Sequence, residues 1–311
     1  MAPSRHEIWM ANITPPVHAV DMGGERSAID AALARACERY MDRVPTRIAE
    51  VIRYSLRGPG KRLRGILVAY AYRAAGGTGD PSLLAAAVEI VHAYSLVHDD
   101  LPCMDNDDLR RGRPTTHVVY GVPAAIVAGI SMLPLATCSV ASASRDMGLD
   151  ARTQAIIVET LMRAAGASGM IGGQLNDLRA EGEELSLDEL SAIHRAKTGA
   201  LIAASARIGG LAAGASEAGL AALEEFGTDL GLAFQIVDDV LDLTATSDQL
   251  GKTAGRDVAL RKSTYPSLLG VAEASARART LAQNGCAALE NAALLTPELR
   301  HLADLVITRT N

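Results

Sequence analysis

Apolar residues recur at helical spacing along most of the chain, and the runs they form are bounded by helix start and stop signals. Asp80-Pro81 sets a capping side chain before a proline, an apolar run follows, and Leu101-Pro102 ends it, so residues 81–100 are predicted to form one helix. Ser186-Leu187-Asp188-Glu189 has the pattern of a capping box and opens a run to residue 208, where Gly209-Gly210 reads as the stop. The same periodicity predicts helices over residues 27–41, 62–75, 151–165, 220–243 and 265–281. Period-two alternation with hairpin signals is nearly absent. The pattern therefore predicts an all-α fold, with one domain over residues 27–311 behind a loosely ordered arm of residues 1–26.

Residues 118–144 carry no charge over 27 positions, enough to cross a bilayer. Gly121, Pro123, Gly129, Ser131, Pro134, Thr137 and Ser139 dilute that run, and no Trp or cationic cluster anchors its far end. It reads as a buried central helix, and no membrane span is expected. With 49% apolar and 3% aromatic residues in 311, the core is filled by Ala, Leu, Ile and Val, which excludes a disordered or disulfide-stapled chain. A net charge of −6 and a pI near 5.7 argue against a nucleic-acid surface. Cys37, Cys103, Cys138 and Cys286 lack metal-type spacing, and the first 26 residues hold no apolar run long enough for a signal-peptide core. Reduced thiols and a cytoplasmic location are expected.

Two acidic clusters carry the candidate chemistry. Asp99, Asp100, Asp105, Asp107 and Asp108 stand at and just after the end of the 81–100 helix, and Asp238, Asp239 and Asp242 interrupt an apolar helix. In the second cluster Gln235, Asp238, Asp239 and Asp242 share one stripe through three- and four-residue spacings. Like charges there, beside Phe234, Ile236, Val237, Val240 and Leu241, call for a cationic partner, and oxygen-only donors suit magnesium. A calcium hand fails: counted from Asp105, the required Gly is Arg110 and the required Glu is Thr116. Positive charge clusters at Gly60-Lys61-Arg62-Leu63-Arg64 and at Arg110-Arg111-Gly112-Arg113. The first stands at a helix start, where free N–H groups attract an anion, but it matches neither a dinucleotide loop nor a P-loop.

Gly60 to Arg64, His92 to Asp100, Asp105 to Pro114, Gly172-Gly173-Gln174, His194 to Gly199 and Phe234 to Asp239 together resemble, in order and spacing, the trans-isoprenyl diphosphate synthase (polyprenyl synthetase) family. Within it the chain is most similar to bacterial farnesyl diphosphate synthases and to geranylgeranyl diphosphate synthases. The resemblance implies an isoprenoid synthase fold, a helical bundle around a deep apolar cavity, in a homodimer. It implies head-to-tail condensation of isopentenyl diphosphate with an allylic diphosphate. By matching position, Asp99, Asp100, Asp105, Asp238, Asp239 and Asp242 would hold three Mg2+ ions. Lys61, Arg64, His92 and Arg111 match the isopentenyl diphosphate site, and Arg110, Lys197, Thr198, Gln235 and Lys252 the surroundings of the allylic diphosphate and developing cation.

Chemistry of that kind needs no nucleophilic side chain: preorganised cations stabilise the departing diphosphate. Gly199 in mid-helix is open to two readings, a kink that bares carbonyl dipoles or simple close packing. Tyr94, five residues before Asp99, is expected to floor the cavity and favour a C15 product over C20. Gly65 stands where the family has Pro, and Val122 and Ser131 where acidic residues are usual; activity is expected to survive these departures. A terpene cyclase would lack the Lys61, Arg64 and His92 set, and a non-catalytic prenyltransferase-like subunit need not keep six carboxylates.

Overall fold

The computed structural model describes residues 20–244 and 262–309, most of them helical. The helices are α1 (Gly23–Tyr40), α2 (Thr46–Leu56), α3 (Leu63–Ala74), α4 (Ser82–Asp99), α5 (Thr116–Tyr120), α6 (Val122–Asp146), α7 (Ala151–Ala165), α8 (Met170–Arg179) and α9 (Leu187–His194). After a π-helical turn (Arg195–Gly199) come α10 (Ala200–Ala213), α11 (Glu217–Thr244), α12 (Tyr265–Leu269), α13 (Val271–Asn291) and α14 (Pro297–Thr308). A two-residue antiparallel ribbon, β1 (Leu109–Arg110) and β2 (Arg113–Pro114), is the exception that the apolar pattern did not show. Its turn is Arg111-Gly112, both at positive φ (54° and 73°), the backbone of a tight hairpin.

Helix α4 is the centre of the bundle. Its run from Leu84 to Val91 is buried on every side, and it packs on α6, α1, α3 and α2. A second layer pairs α11 with α13 and α10, and α10 crosses back onto α3 and α7. The predicted helices are present, with informative differences. Helix α1 starts at Gly23, four residues inside the segment read as an arm; residues 1–19 lie outside the described residues. Asp80 accepts from the Ser82 amide at 2.9 Å, which moves the cap one residue along so that Pro81 is the N-cap. The capping box at Ser186 and Glu189 forms as predicted.

The Gly209-Gly210 stop is not a stop. A Cβ on Gly209 would sit 2.4 Å from the Val68 carbonyl oxygen, and one on Gly210 2.5 Å from Leu223, so both glycines serve close helix packing. Helix α10 ends instead at Gly214, which is left-handed at φ 74°. Positive-φ glycines also split two predicted runs: Gly121 separates α5 from α6, and Gly270 separates α12 from α13. Helix α6 is not buried all round. Its inner face meets α4, but Val127 and Ile130 are 44% and 56% exposed. Tight packing against α4 occurs at Gly129, where a Cβ would lie 2.3 Å from the His98 ring.

Candidate active site

The first acidic cluster is built by the way α4 ends. The Asp105 amide donates to the Asp99 carbonyl (2.8 Å) and the Asn106 amide to that of Leu101 (3.0 Å), so the loop folds back and returns Asp105 to the helix terminus. Burial leaves Asp99 poorly solvated and pushes its carboxyl up to about 7, with Asp105 adding to the rise and Lys197 opposing it. Asp100, also raised by burial, receives two hydrogen bonds from Arg110 at 3.0 and 2.5 Å. The ribbon turn explains that contact. Arg110, the last strand residue, reaches back to Asp100 and Asp107, while Arg111, in the turn, donates to the Pro59 carbonyl at 2.8 Å.

Opposite stands the π-helical turn. Lys197 Nζ lies 2.7 Å from Asp177 Oδ2 on α8, and Lys262 reaches the same oxygen at 3.0 Å. Burial opposes the charge of Lys197, but Asp177, Asp99 and Asp105 outweigh it and raise its pKa. Gly173 lets α8 approach: a Cβ there would be 2.2 Å from the Lys197 amide nitrogen. Next to it, the Gln174 side chain donates to Asp105 at 3.4 Å, and its own Oε1 is buried without a partner. Gly199 ends the π turn, and α11 crosses there so closely that a Cβ on Gly231 would lie 2.7 Å from the Gly199 Cα. A Cβ on Gly199 would meet nothing nearer than the His194 carbonyl oxygen at 3.7 Å, so the close approach of α11 depends on Gly231 and not on Gly199 itself.

On α11, Asp238 accepts from Arg309 at 2.6 Å, with the guanidinium 3.8 Å above the Phe234 ring. Asp239 accepts from Gln235 (3.2 Å) and the Tyr265 amide (3.1 Å), and its Oδ2 also lies 3.2 Å from His194 Nε2. Thr198 donates to Gln235 at 2.9 Å, so a continuous chain of side chains ties the π turn to the second acidic cluster. Asp242 is buried one turn further on. Lys252 lies outside the described residues.

The basic set faces the same region from α3 and α4. Arg64 Nη1 is 3.4 Å from His92 Nε2, and Arg64 Nε is buried without a partner. Burial lowers the pKa of Arg64, Arg111 and Lys61, with neighbouring cations adding to each shift, and holds His92 well below the ordinary imidazole range. Gly65 keeps an N–H that donates to buried Glu89 at 2.9 Å, a bond Pro could not make.

Fit to a metal follows from the donors. All six aspartates offer hard oxygens, and the desolvated Asp99 carboxyl gains from a divalent cation. Among the described residues no three His, Cys, Asp or Glu side chains converge as a ligand set. Asp100 and Asp238 are held by Arg110 and Arg309, and Asp239 by the chain of bonds described above, so divalent ions would have to replace internal partners. Asp177, Lys262, Tyr265 and Arg309 had no part in the residues predicted from sequence, and His194 stood in a predicted motif without a role of its own. Asp177 carried a signal as well, three residues after Gln174 and thus on the same helix face.

Residues 45–294 match the polyprenyl synthetase family. The chain is 39% identical over 288 residues to the farnesyl diphosphate synthase of Geobacillus stearothermophilus, covering 92% of this chain and 95% of that one. It is 41% identical over 275 residues to a geranylgeranyl diphosphate synthase of Cyanophora paradoxa (86% and 89% covered). A geranyltransferase of Helicobacter pylori, solved with magnesium and isoprenyl diphosphate, superposes with a TM-score of 0.75 at 28% identity, over 93% of this chain and 98% of that one. Ordered motifs, bundle and facing acidic and basic clusters agree with these matches over nearly the whole chain: it belongs to the polyprenyl synthetase family of prenyltransferases.

Proposed function

We propose that this enzyme joins isopentenyl diphosphate head-to-tail to dimethylallyl and then geranyl diphosphate, and stops at farnesyl diphosphate. The observation that carries the product length is Tyr94. It is buried on α4 five residues before Asp99, edge-on to His98 with ring centroids 4.8 Å apart, and close enough for Asp99 to add to the rise that burial imposes on its hydroxyl pKa. Five residues of helix span roughly 7 to 8 Å, so a growing chain anchored at Asp99 meets the ring early.

Isopentenyl diphosphate is held by Lys61, Arg64, His92 and Arg111, whose mutual repulsion a diphosphate would relieve. His92 and Asp99 lie on one face of α4 about 10 Å apart along the axis, room for two diphosphates side by side. Asp99, Asp100, Asp105, Asp238, Asp239 and Asp242 are the residues that would hold magnesium, in three ions as the family resemblance implies. Bound there, magnesium would neutralise the allylic diphosphate as its C–O bond ionises. Lys197 and Arg110 add fixed positive charge at the same group, and Lys252 is assigned to it by resemblance alone. Thr198 and Gln235, hydrogen-bonded to each other, would set their oxygen dipoles beside the developing carbocation. The double bond of isopentenyl diphosphate attacks that cation, and the released diphosphate accepts the proton.

The exposed apolar stripe of α6, with Val127, Ile130 and Pro134 at helical spacing, supports a homodimer through that face rather than a membrane span. The scattered free thiols support a cytoplasmic location. A second reading, a C20 product, is favoured by the similarity to the Cyanophora paradoxa enzyme. Product analysis with isopentenyl diphosphate, Mg2+ and C5, C10 or C15 allylic starters separates the two. A C15 end product is expected; efficient extension of the C15 starter to C20 would establish the second reading.

A further inference from the structure

Arg62 sits between the two basic residues assigned to isopentenyl diphosphate, yet its guanidinium turns away from them. It is 8% exposed and left-handed (φ 53°, ψ 32°) at the N-cap of α3, a conformation uncommon for a residue with a side chain. Nη2 donates to the carbonyls of Leu56 (2.9 Å) and Gly58 (3.1 Å), Nε donates to Asp30 Oδ1 (2.8 Å), and Nη1 lies 3.9 Å from Glu89. Nε and Nη2 are thus committed to the protein by hydrogen bonds, and Nη1 is paired only at ion-pair distance with buried Glu89.

Leu56 is buried in the core, but the Gly58-Pro59-Gly60 segment that follows it has little other support. On its α1 side lies a cavity of about 440 Å3, lined by Leu33, Leu56, Gly58, Pro59, Gly60 and Arg62. On the other side the loop is held by Arg111, whose guanidinium accepts no closer neighbour: a Cβ on Gly60 would be 2.5 Å from Arg111 Nη1. A Gly-Pro-Gly segment beside an open pocket, with Pro59 exposed, gains little from packing. Its position is set by the carbonyl bonds to Arg62 below and Arg111 above.

We propose that Arg62 is a positioning residue for isopentenyl diphosphate: by pinning residues 56–60 from inside, it fixes where Lys61 and Arg64 point. The inference rests on the assignment of Lys61 and Arg64 to that substrate. In the left-handed position a glycine is relaxed, so Arg62→Gly removes the guanidinium without adding backbone strain. Steady-state kinetics with both substrates, beside thermal melts, test it. Arg62→Gly is expected to raise KM for isopentenyl diphosphate about tenfold or more, while KM for geranyl diphosphate stays within about twofold and kcat within about threefold. Millimolar guanidinium, admitted through the cavity, should recover part of that loss. Should Arg62→Gly fold poorly, Asp30→Asn, which loosens one bond only, should raise the same KM less and leave the other unchanged.

Arg64→Gln is the control. If it raises KM for isopentenyl diphosphate and Arg62→Gly or Asp30→Asn does not, the positioning role is wrong. Equal rises in both KM values with a lower melting temperature would reduce Arg62 to a general structural residue and overturn the proposal as well. If Arg64→Gln itself leaves that KM unchanged, the substrate assignment fails, and the inference with it.

Discussion

Lys197 and Asp177 form an ion pair at 2.7 Å across twenty positions of sequence, joining the π-helical turn to α8, and the ammonium also lies in the field of Asp99 and Asp105. One cation thus serves two purposes: it bonds α8 to the π turn and places positive charge beside the first acidic cluster. Asp177 bears the energetic consequence. Burial opposes its charge, but Lys197 and Lys262 outweigh burial and hold its carboxyl at about 2, below the usual 3.8.

A carboxyl lowered on folding stabilises the fold above its unfolded pKa and ceases to do so as pH falls through the folded value. Asp177 should therefore contribute roughly 2 kcal/mol at neutral pH, lost between about pH 4 and pH 2. Urea unfolding at pH 6 and pH 3 is expected to show a smaller difference for Asp177→Asn than for the parent. An unchanged difference would mean that the pair is not coupled to folding.

Asp99→Ala and Asp238→Ala should each reduce turnover by on the order of a hundredfold to a thousandfold or more, with helical content by circular dichroism intact. Chelation should abolish activity and added Mg2+ restore it. Near-normal turnover in either variant would refute the metal assignment.

Tyr94→Ala should lengthen the product, read by chromatography of the dephosphorylated alcohols. An unchanged C15 product would place the limit on chain length elsewhere in the bundle.

Ile130→Asp puts a charge into the exposed stripe of α6 without touching the buried face. Light scattering should show the parent as a dimer and the variant as a monomer, since an unpaired charge in an apolar interface costs several kcal/mol. A monomeric parent would refute the dimer.

Gly129→Ala should lower stability by about 1 to 3 kcal/mol, because the added methyl meets the His98 ring in the α4–α6 contact. Thermal melts of the variant check this, and a melt equal to that of the parent would show that the ring has room to move.

How far the site was legible depends on the kind of signal. Gln235 and Asp239 were visible because helical spacing puts them on one face, and Asp99 and Asp100 because they stand in a local run of acidic residues. Their partners were not. His194 reaches Asp239 across 45 positions and Arg309 reaches Asp238 across 71, and no local rule links such pairs. Gly209-Gly210 misled for a related reason, since a glycine that admits a neighbouring helix looks like one that ends its own.

Local chain chemistry was enough to establish an all-helical bundle, most of its helices, and two acidic and two basic clusters, because periodicity, caps and charge are properties of neighbouring residues. Which cluster faces which, which aspartate already has an internal partner, and that the Arg62 guanidinium points inward between two residues assigned to substrate were decided only by the packed structure. Those facts depend on where chain segments far apart in sequence come to rest, and it is burial that turns their proximity into energy, by removing the water that would otherwise screen each charge.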